Sequence, residues 1–220
     1  RELLISAFRA ENPTSDLYNA GAIYVFDGGE GGFTEMSDAR LRIFGDLERA
    51  QMGSVVKGTG DLDGDGLPDI LSSSHYYPNN LGDNGNGVAW GISGTLTGDI
   101  SRESTLFQIE GDDNDNFGRN VQSCGDMNND GYDDIAVSAK YTDYLIEDGG
   151  SIHIFYGPLS GTYTKNEAHE IISSTNTLSI GILTDCIPSV DTSPNQFLFS
   201  DAYYDGSEVQ NRTYFMPWLR

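Results

Sequence analysis

Two stretches of this 220-residue chain set oxygen-bearing side chains at alternate positions around a glycine, a pattern that wraps a hard cation. The first is Asp61-Leu62-Asp63-Gly64-Asp65-Gly66-Leu67-Pro68-Asp69, and the second is Asp126-Met127-Asn128-Asn129-Asp130-Gly131-Tyr132-Asp133-Asp134. Calcium takes six to eight oxygen ligands at about 2.3–2.6 Å, and a short loop can supply most of them only by curling sharply. Side-chain oxygens come from Asp61, Asp63, Asp65 and Asp69 in one loop and from Asp126, Asn128, Asp130 and Asp134 in the other. The backbone carbonyls of Leu67 and Tyr132, at position 7, complete each set. Gly66 and Gly131 allow the curl, because glycine reaches positive φ without a Cβ clash. Asp and Gly also dominate ordinary acidic turns, but two loops with matched spacing and matched flanks point to two calcium ions.

The flanks decide what kind of loop this is. An EF-hand needs a bidentate Glu at position 12 and a helix on either side. Position 12 here is Ser72 in the first loop and Val137 in the second. Each loop instead runs into a short apolar stretch, Ile70-Leu71 or Ile135-Ala136-Val137, which suits a strand.

Similarity at a fixed period extends beyond the loops. Met52-Gly53-Ser54-Val55-Val56 precedes the first loop as Phe117-Gly118-Arg119-Asn120-Val121 precedes the second. Downstream, Gly87 to Gly94 matches Gly150 to Gly157, and Gly21 to Gly28 repeats the element near the start. Leu41-Arg42-Ile43-Phe44 and Leu106-Phe107-Gln108-Ile109 close their units. A period of roughly 60–65 residues with four short strands is that of a propeller blade. The expected fold is therefore all-β, a β-propeller of four-stranded antiparallel blades.

Phe117-Gly118, Gly125-Asp126 through Asp134, and the strand from Gly150 to Gly157 resemble the FG-GAP repeats of integrin α-subunit-type β-propellers. The resemblance is strong over residues 45–165 and weaker elsewhere. It implies calcium loops between the first and second strands of a blade, an extracellular or cell-surface setting, and a role in adhesion or ligand binding. It also implies a ring of seven blades, of which this chain carries about three and a half. A partial blade falls at 1–44, blades with calcium loops at 45–110 and 111–172, and a degenerate blade at 173–220. In that last unit Pro188, Val190, Thr192 and Gln196 stand at the ligand positions, so no third cation is expected. Leu3 to Ala7 matches Ile135 to Ala139, and Thr213 to Pro217 matches a third strand, so the chain begins and ends within blades. The missing strands belong to a longer chain, to a second half-ring, or to neighbours in a polymer.

Lys and Arg number 12 against 34 Asp and Glu, a formal net charge of −22. Such a surface excludes nucleic acid, whose phosphates require a basic face, and disfavours anionic membranes. No apolar run approaches the roughly 20 residues of a membrane span. Cys124 and Cys186 fall at equivalent positions of adjacent units. A disulfide requires Cα atoms within about 7 Å, and the separation expected between neighbouring inner strands favours two buried thiols over an inter-blade bridge. Asn211-Arg212-Thr213 is a glycosylation sequon, whereas Pro13 blocks the one at Asn12.

No enzyme is expected. The histidines His75, His153 and His169 are scattered, and no nucleophile elbow, zinc-protease helix motif or Cys-x-x-Cys pair is present. Carboxylates held by calcium stay ionised and donate protons poorly. His153 alternates with Ile152 and Ile154, as a packed strand residue would. His75, Tyr76 and Tyr77 follow the strand after the first loop, and Tyr141, Tyr144, Tyr203 and Tyr204 recur at comparable points of later units. They are candidates for a ligand-binding rim, balanced against ordinary packing of loop bases. The leading function is calcium-stabilised adhesion or protein–protein recognition. A carbohydrate-binding propeller and a structural subunit of a surface filament are the alternatives.

Overall fold

The computed structural model describes residues 2–28, 35–77, 85–143, 145, 147, 149–173, 179–187, 196–204 and 209–217. These residues form sixteen strands in four sheets, punctuated by three short 3-10 turns. The first sheet contains β1 (Glu2–Ala7), β2 (Ala22–Asp27) and β3 (Leu41–Phe44) as an antiparallel meander. The second contains β4 (Val55–Gly58), β5 (Ile70–Ser74), β6 (Val88–Ile92) and β8 (Phe107–Glu110), again antiparallel. The third repeats that order with β9 (Phe117–Gly125), β10 (Asp134–Ala139), β11 (Ser151–Phe155) and β13 (Glu170–Ser173). The fourth joins β14 (Ser179–Ile187), β15 (Gln196–Tyr204) and β16 (Val209–Pro217).

The middle strands are buried on both faces, and their alternation shows where each face goes. Ile70 packs into one apolar cluster with Ile23, Val25, Leu41 and Ile43 of the first sheet. Its neighbour Leu71 packs into another with Phe117, Val121, Ile135 and Val137 of the third. The same switch separates Val88, Trp90 and Ile92 from Ala89. One sheet further on, Ile135 faces back towards the second sheet, while Ala136 joins Ile152, Ile154 and Cys186 on the side of the fourth. Because successive side chains on a strand point to opposite faces, the second and third sheets are each filled from both sides by their sequence neighbours. That is the stacking of consecutive propeller blades.

Small residues set the spacing of the stack. Gly21, Gly87 and Gly150, at the entries to β2, β6 and β11, have φ of +88°, +86° and +69°, and a Cβ on any of them would collide with backbone that leads into or belongs to the following sheet. Isolated parallel bridges Gly21–Met52 and Gly87–Phe117 form at these approaches. Ser6 and Ser73 then donate hydroxyl hydrogen bonds across the gap to the carbonyls of Gly53 and Gly118, the glycines that follow Met52 and Phe117.

Two features depart from the sequence expectation. The third sheet is four-stranded and antiparallel as expected, but the first and second each gain a parallel strand. β7 (Gly98–Ser101) pairs parallel with β3 of the preceding sheet, and β12 (Gly161–Thr164) pairs parallel with β8. Each strap covers the outer edge of the sheet before it, which would otherwise present unpaired N–H and C=O groups. The cysteines are also not thiols: Cys124 and Cys186 form a disulfide with Cα atoms 4.9 Å apart. The expectation of free thiols assumed too wide a gap between β9 and β14.

Candidate metal centre

Both aspartate loops join the first and second strands of their sheets, β4 to β5 and β9 to β10, and both fold in one way. The first carboxylate acts as the hub. Asp61 Oδ1 accepts the N–H of Gly64 at 2.6 Å and of Asp65 at 3.1 Å, and its Oδ2 accepts Gly66 N–H at 2.8 Å. In the second loop Asp126 Oδ1 accepts Asp130 N–H at 3.0 Å and Oδ2 accepts Gly131 N–H at 2.9 Å. The third and fifth side chains cap the next turn: Asp63 and Asn128 accept from the N–H of Asp65 and Asp130, and these accept from Leu67 and Tyr132. The expected curl is present, with φ of +84° at Gly66 and +98° at Gly131, and position 4 is left-handed too, at Gly64 (+88°) and Asn129 (+57°).

One carboxylate oxygen from each of Asp61, Asp63 and Asp65 lies within 4.8 Å of the others. Their partners in the loop are backbone N–H groups. Burial raises the carboxyl affinity of Asp61 for a proton, but the N–H groups of Gly66, Gly64, Asp65 and Asp63 outweigh it and hold the group below the usual carboxylate range. The ninth residue is different. Asp69 is 2% exposed and Asp134 is fully buried, each beneath its loop. Asp69 accepts the N–H of Leu62 at 2.8 Å and of Gly94 at 3.1 Å, while Asp134 accepts Met127 at 2.7 Å and Gly157 at 3.0 Å. Desolvation raises both pKa values above the ordinary Asp range, backbone N–H groups only partly offsetting it. Among the described residues no Lys or Arg forms an ion pair with any of these carboxylates. A buried carboxylate without a countercharge is costly. A hard cation fits this donor set: it would meet all-oxygen ligands on a curled loop and neutralise them.

The residues considered for a ligand rim do not converge. His75 is 7% exposed, with its Nε2 2.7 Å from a guanidinium nitrogen of the exposed Arg119. Tyr77 is core: it packs edge-on against Trp90 at 5.7 Å and carries the Arg102 guanidinium over its ring at 5.2 Å. Tyr76 is half-buried against His75, and Tyr141 is half-buried beside Lys140, whose Nζ lies 4.5 Å from the ring centroid. Tyr144 lies outside the described residues, as do the side chains of Tyr203, Tyr204 and Asn211 and the 188–195 stretch that carries three of the degenerate loop's positions. His153 is fully buried between the Ser151 hydroxyl at 2.7 Å and the Lys165 carbonyl at 3.0 Å. His169 stacks on Tyr156 at 4.8 Å.

Sequence reasoning missed Asp133. It occupies position 8, outside the alternating ligand pattern, yet its Oδ2 accepts hydrogen bonds from Gly60 N–H and Ser123 hydroxyl, each at 3.0 Å. Its own N–H donates to the Asp61 carbonyl at 3.1 Å. The available signal was Gly60 itself, a glycine in front of the first ligand whose Cβ would collide with the Asp133 carboxylate.

Comparison with known proteins agrees with this architecture. Residues 117–155 match the FG-GAP repeat family model. The chain is 33% identical to integrin alpha-6 of Gallus gallus over 107 residues, which is 48% of this chain and 9% of that protein. It is 30% identical to integrin alpha-3 of Mus musculus over 129 residues, 53% of the chain and 11% of the relative. It is 28% identical to integrin alpha-PS5 of Drosophila melanogaster over 163 residues, 70% of the chain and 15% of the relative. The chain thus spans only a small part of these relatives' length.

Proposed function

We propose, from a chain that carries an FG-GAP repeat and is similar to integrin α subunits, that it is an extracellular calcium-stabilised propeller segment for adhesion or protein–protein recognition. The four sheets are then successive blades of a seven-bladed ring, with units at 1–44, 45–110, 111–172 and 173–220. The ligand is a protein at the cell surface. The observation that carries the calcium reading is the pair of matching loops, each closed over a buried carboxylate, Asp69 or Asp134, with no cationic side chain beside it among the described residues. Asp61, Asp63, Asp65, Asp69 and the Leu67 carbonyl hold one ion. Asp126, Asn128, Asp130, Asp134 and the Tyr132 carbonyl hold the other. Bound calcium supplies positive charge that lets these oxygens crowd together, so its role is structural. The disulfide supports an oxidising, extracellular setting, since such bonds are rare in reducing compartments.

Titration of the chelator-treated chain with calcium tests this reading. Two ions should bind, and the thermal midpoint should rise on binding, because a ligand that binds only the folded state stabilises it by mass action. No binding, with an unchanged midpoint, would overturn it.

A further inference from the structure

We propose that the two loops load calcium cooperatively and that Asp133 is the positioning residue that couples them. This rests on the calcium reading above. The second loop is built onto the first. Asp133 grips the backbone on both sides of the first ligand, through its Oδ2 to Gly60 N–H at 3.0 Å and through its N–H to the Asp61 carbonyl at 3.1 Å. Its neighbour Tyr132 lays its ring over the first loop, so that a Cβ on Gly64 would lie 2.6 Å from Tyr132 Cε1. Leu159, from the turn after β11, donates its N–H to the Leu62 carbonyl at 3.1 Å. Residues 60, 61, 62 and 64 of the first loop are therefore held by the third sheet.

Asp133 sits between two groups assigned to the second ion, the Tyr132 carbonyl and the Asp134 side chain. Without a cation, the crowded carboxylates of either loop repel one another and loosen the backbone that carries them. Loosening of the second loop releases Asp133, and with it the contacts that shape Gly60 and Asp61. Filling the second loop fixes Asp133 and presents the first loop in its binding conformation. Coupling of this kind is reciprocal, so each ion raises the affinity for the other.

Calorimetric titration of the full chain with calcium alone tests this. Asp126→Ala removes the second site, and the remaining first-loop affinity should fall about fivefold or more below the corresponding step in the unsubstituted chain. In an Asp133→Ala background the same substitution should have no further effect on the first loop, whereas Asp133→Asn, which keeps a carbonyl oxygen for Gly60, should preserve the coupling. If Asp126→Ala unfolds the chain, Asn128→Asp reads the linkage from the other side: a tighter second loop must tighten the first. First-loop affinity that is indifferent to both substitutions overturns the coupling. Coupling that survives Asp133→Ala overturns the role of Asp133. Absence of calcium heat from the unsubstituted chain overturns the calcium reading itself.

Discussion

The backbone of Phe117 occupies the space into which a side chain on Gly87 would project. The two residues form a parallel bridge between the second and third sheets, and the Phe117 ring is wholly buried beyond it. Gly21 meets Met52 and Gly150 meets Ile180 in the same manner one sheet earlier and one sheet later. The phenylalanine-glycine pair of the repeat is thus one half of a joint. Its other half is a glycine some thirty residues upstream, whose missing side chain lets the next sheet approach.

Gly87→Ala should therefore be among the more damaging single substitutions in the second sheet. It places a Cβ at φ of +86° and against backbone that cannot rotate aside. A loss of about 2–3 kcal/mol is expected, at the upper end of what a strained backbone position costs. Denaturant unfolding in excess calcium measures it. Gly98→Ala is the control: its φ is also positive, at +80°, but a Cβ there meets nothing within 4 Å, so the loss should be smaller.

The disulfide between Cys124 and Cys186 closes a loop with a sequence separation of 62 residues. Loop-closure entropy puts its contribution at about 4 kcal/mol as an upper figure. Cys186→Ser should lower stability by up to that amount, and the denatured native protein should show no free thiol. A full complement of two reactive thiols in the native protein would sink the assignment.

Two buried histidines should make stability depend on mildly acidic pH. Burial holds both His75 and His153 to a pKa of about 4, and the cations Arg119 and Lys140 act in the same direction on His75. Both folded-state values lie below the unfolded value of about 6.5. The unfolded chain therefore takes up protons that the folded chain refuses. Stability is full above about pH 6.5 and falls as pH drops towards 4. By pH 5 the loss should be roughly 2 kcal/mol for each histidine. Unfolding measured at fixed calcium between pH 7 and 5 shows the slope, and His153→Gln should remove about half of it.

The two ligand sets differ by one charge, because Asn128 stands where the first loop has Asp63. Ligand charge count tunes calcium affinity, so one carboxylate more or fewer should move a loop's affinity several-fold. Asn128→Asp should tighten the second loop several-fold, and Asp63→Asn should weaken the first by a similar factor. Each is read from stepwise calcium titration.

The fold was legible where side-chain type dictates backbone. The loops declared themselves because hard-cation ligation needs oxygens at fixed spacing, and the middle strands because burial on both faces demands runs such as Ile135-Ala136-Val137. The straps were harder to see. Gly98-Asp99-Ile100-Ser101 and Gly161-Thr162-Tyr163-Thr164 are short, polar and exposed, so no apolar period marks them. Their repetition before Arg102-Glu103 and before Lys165-Asn166-Glu167 was the only trace. The disulfide was misjudged because inter-strand distance depends on how closely β9 and β14 approach, which composition does not reveal. Tyr77 was placed on a rim because aromatic loop residues do either job, and only the position of Trp90 showed that its ring faces inward.

The parallel straps bear on the order in which this chain can be completed during synthesis. Arg42 of β3 waits for Asp99 of β7, which lies 57 residues further along. β8 likewise waits for β12. A sheet emerging from the ribosome therefore keeps an open, pairing-competent margin until the next sheet is nearly made. Its protection is held by its successor, so a pause in translation between the two would leave that margin available to other nascent chains.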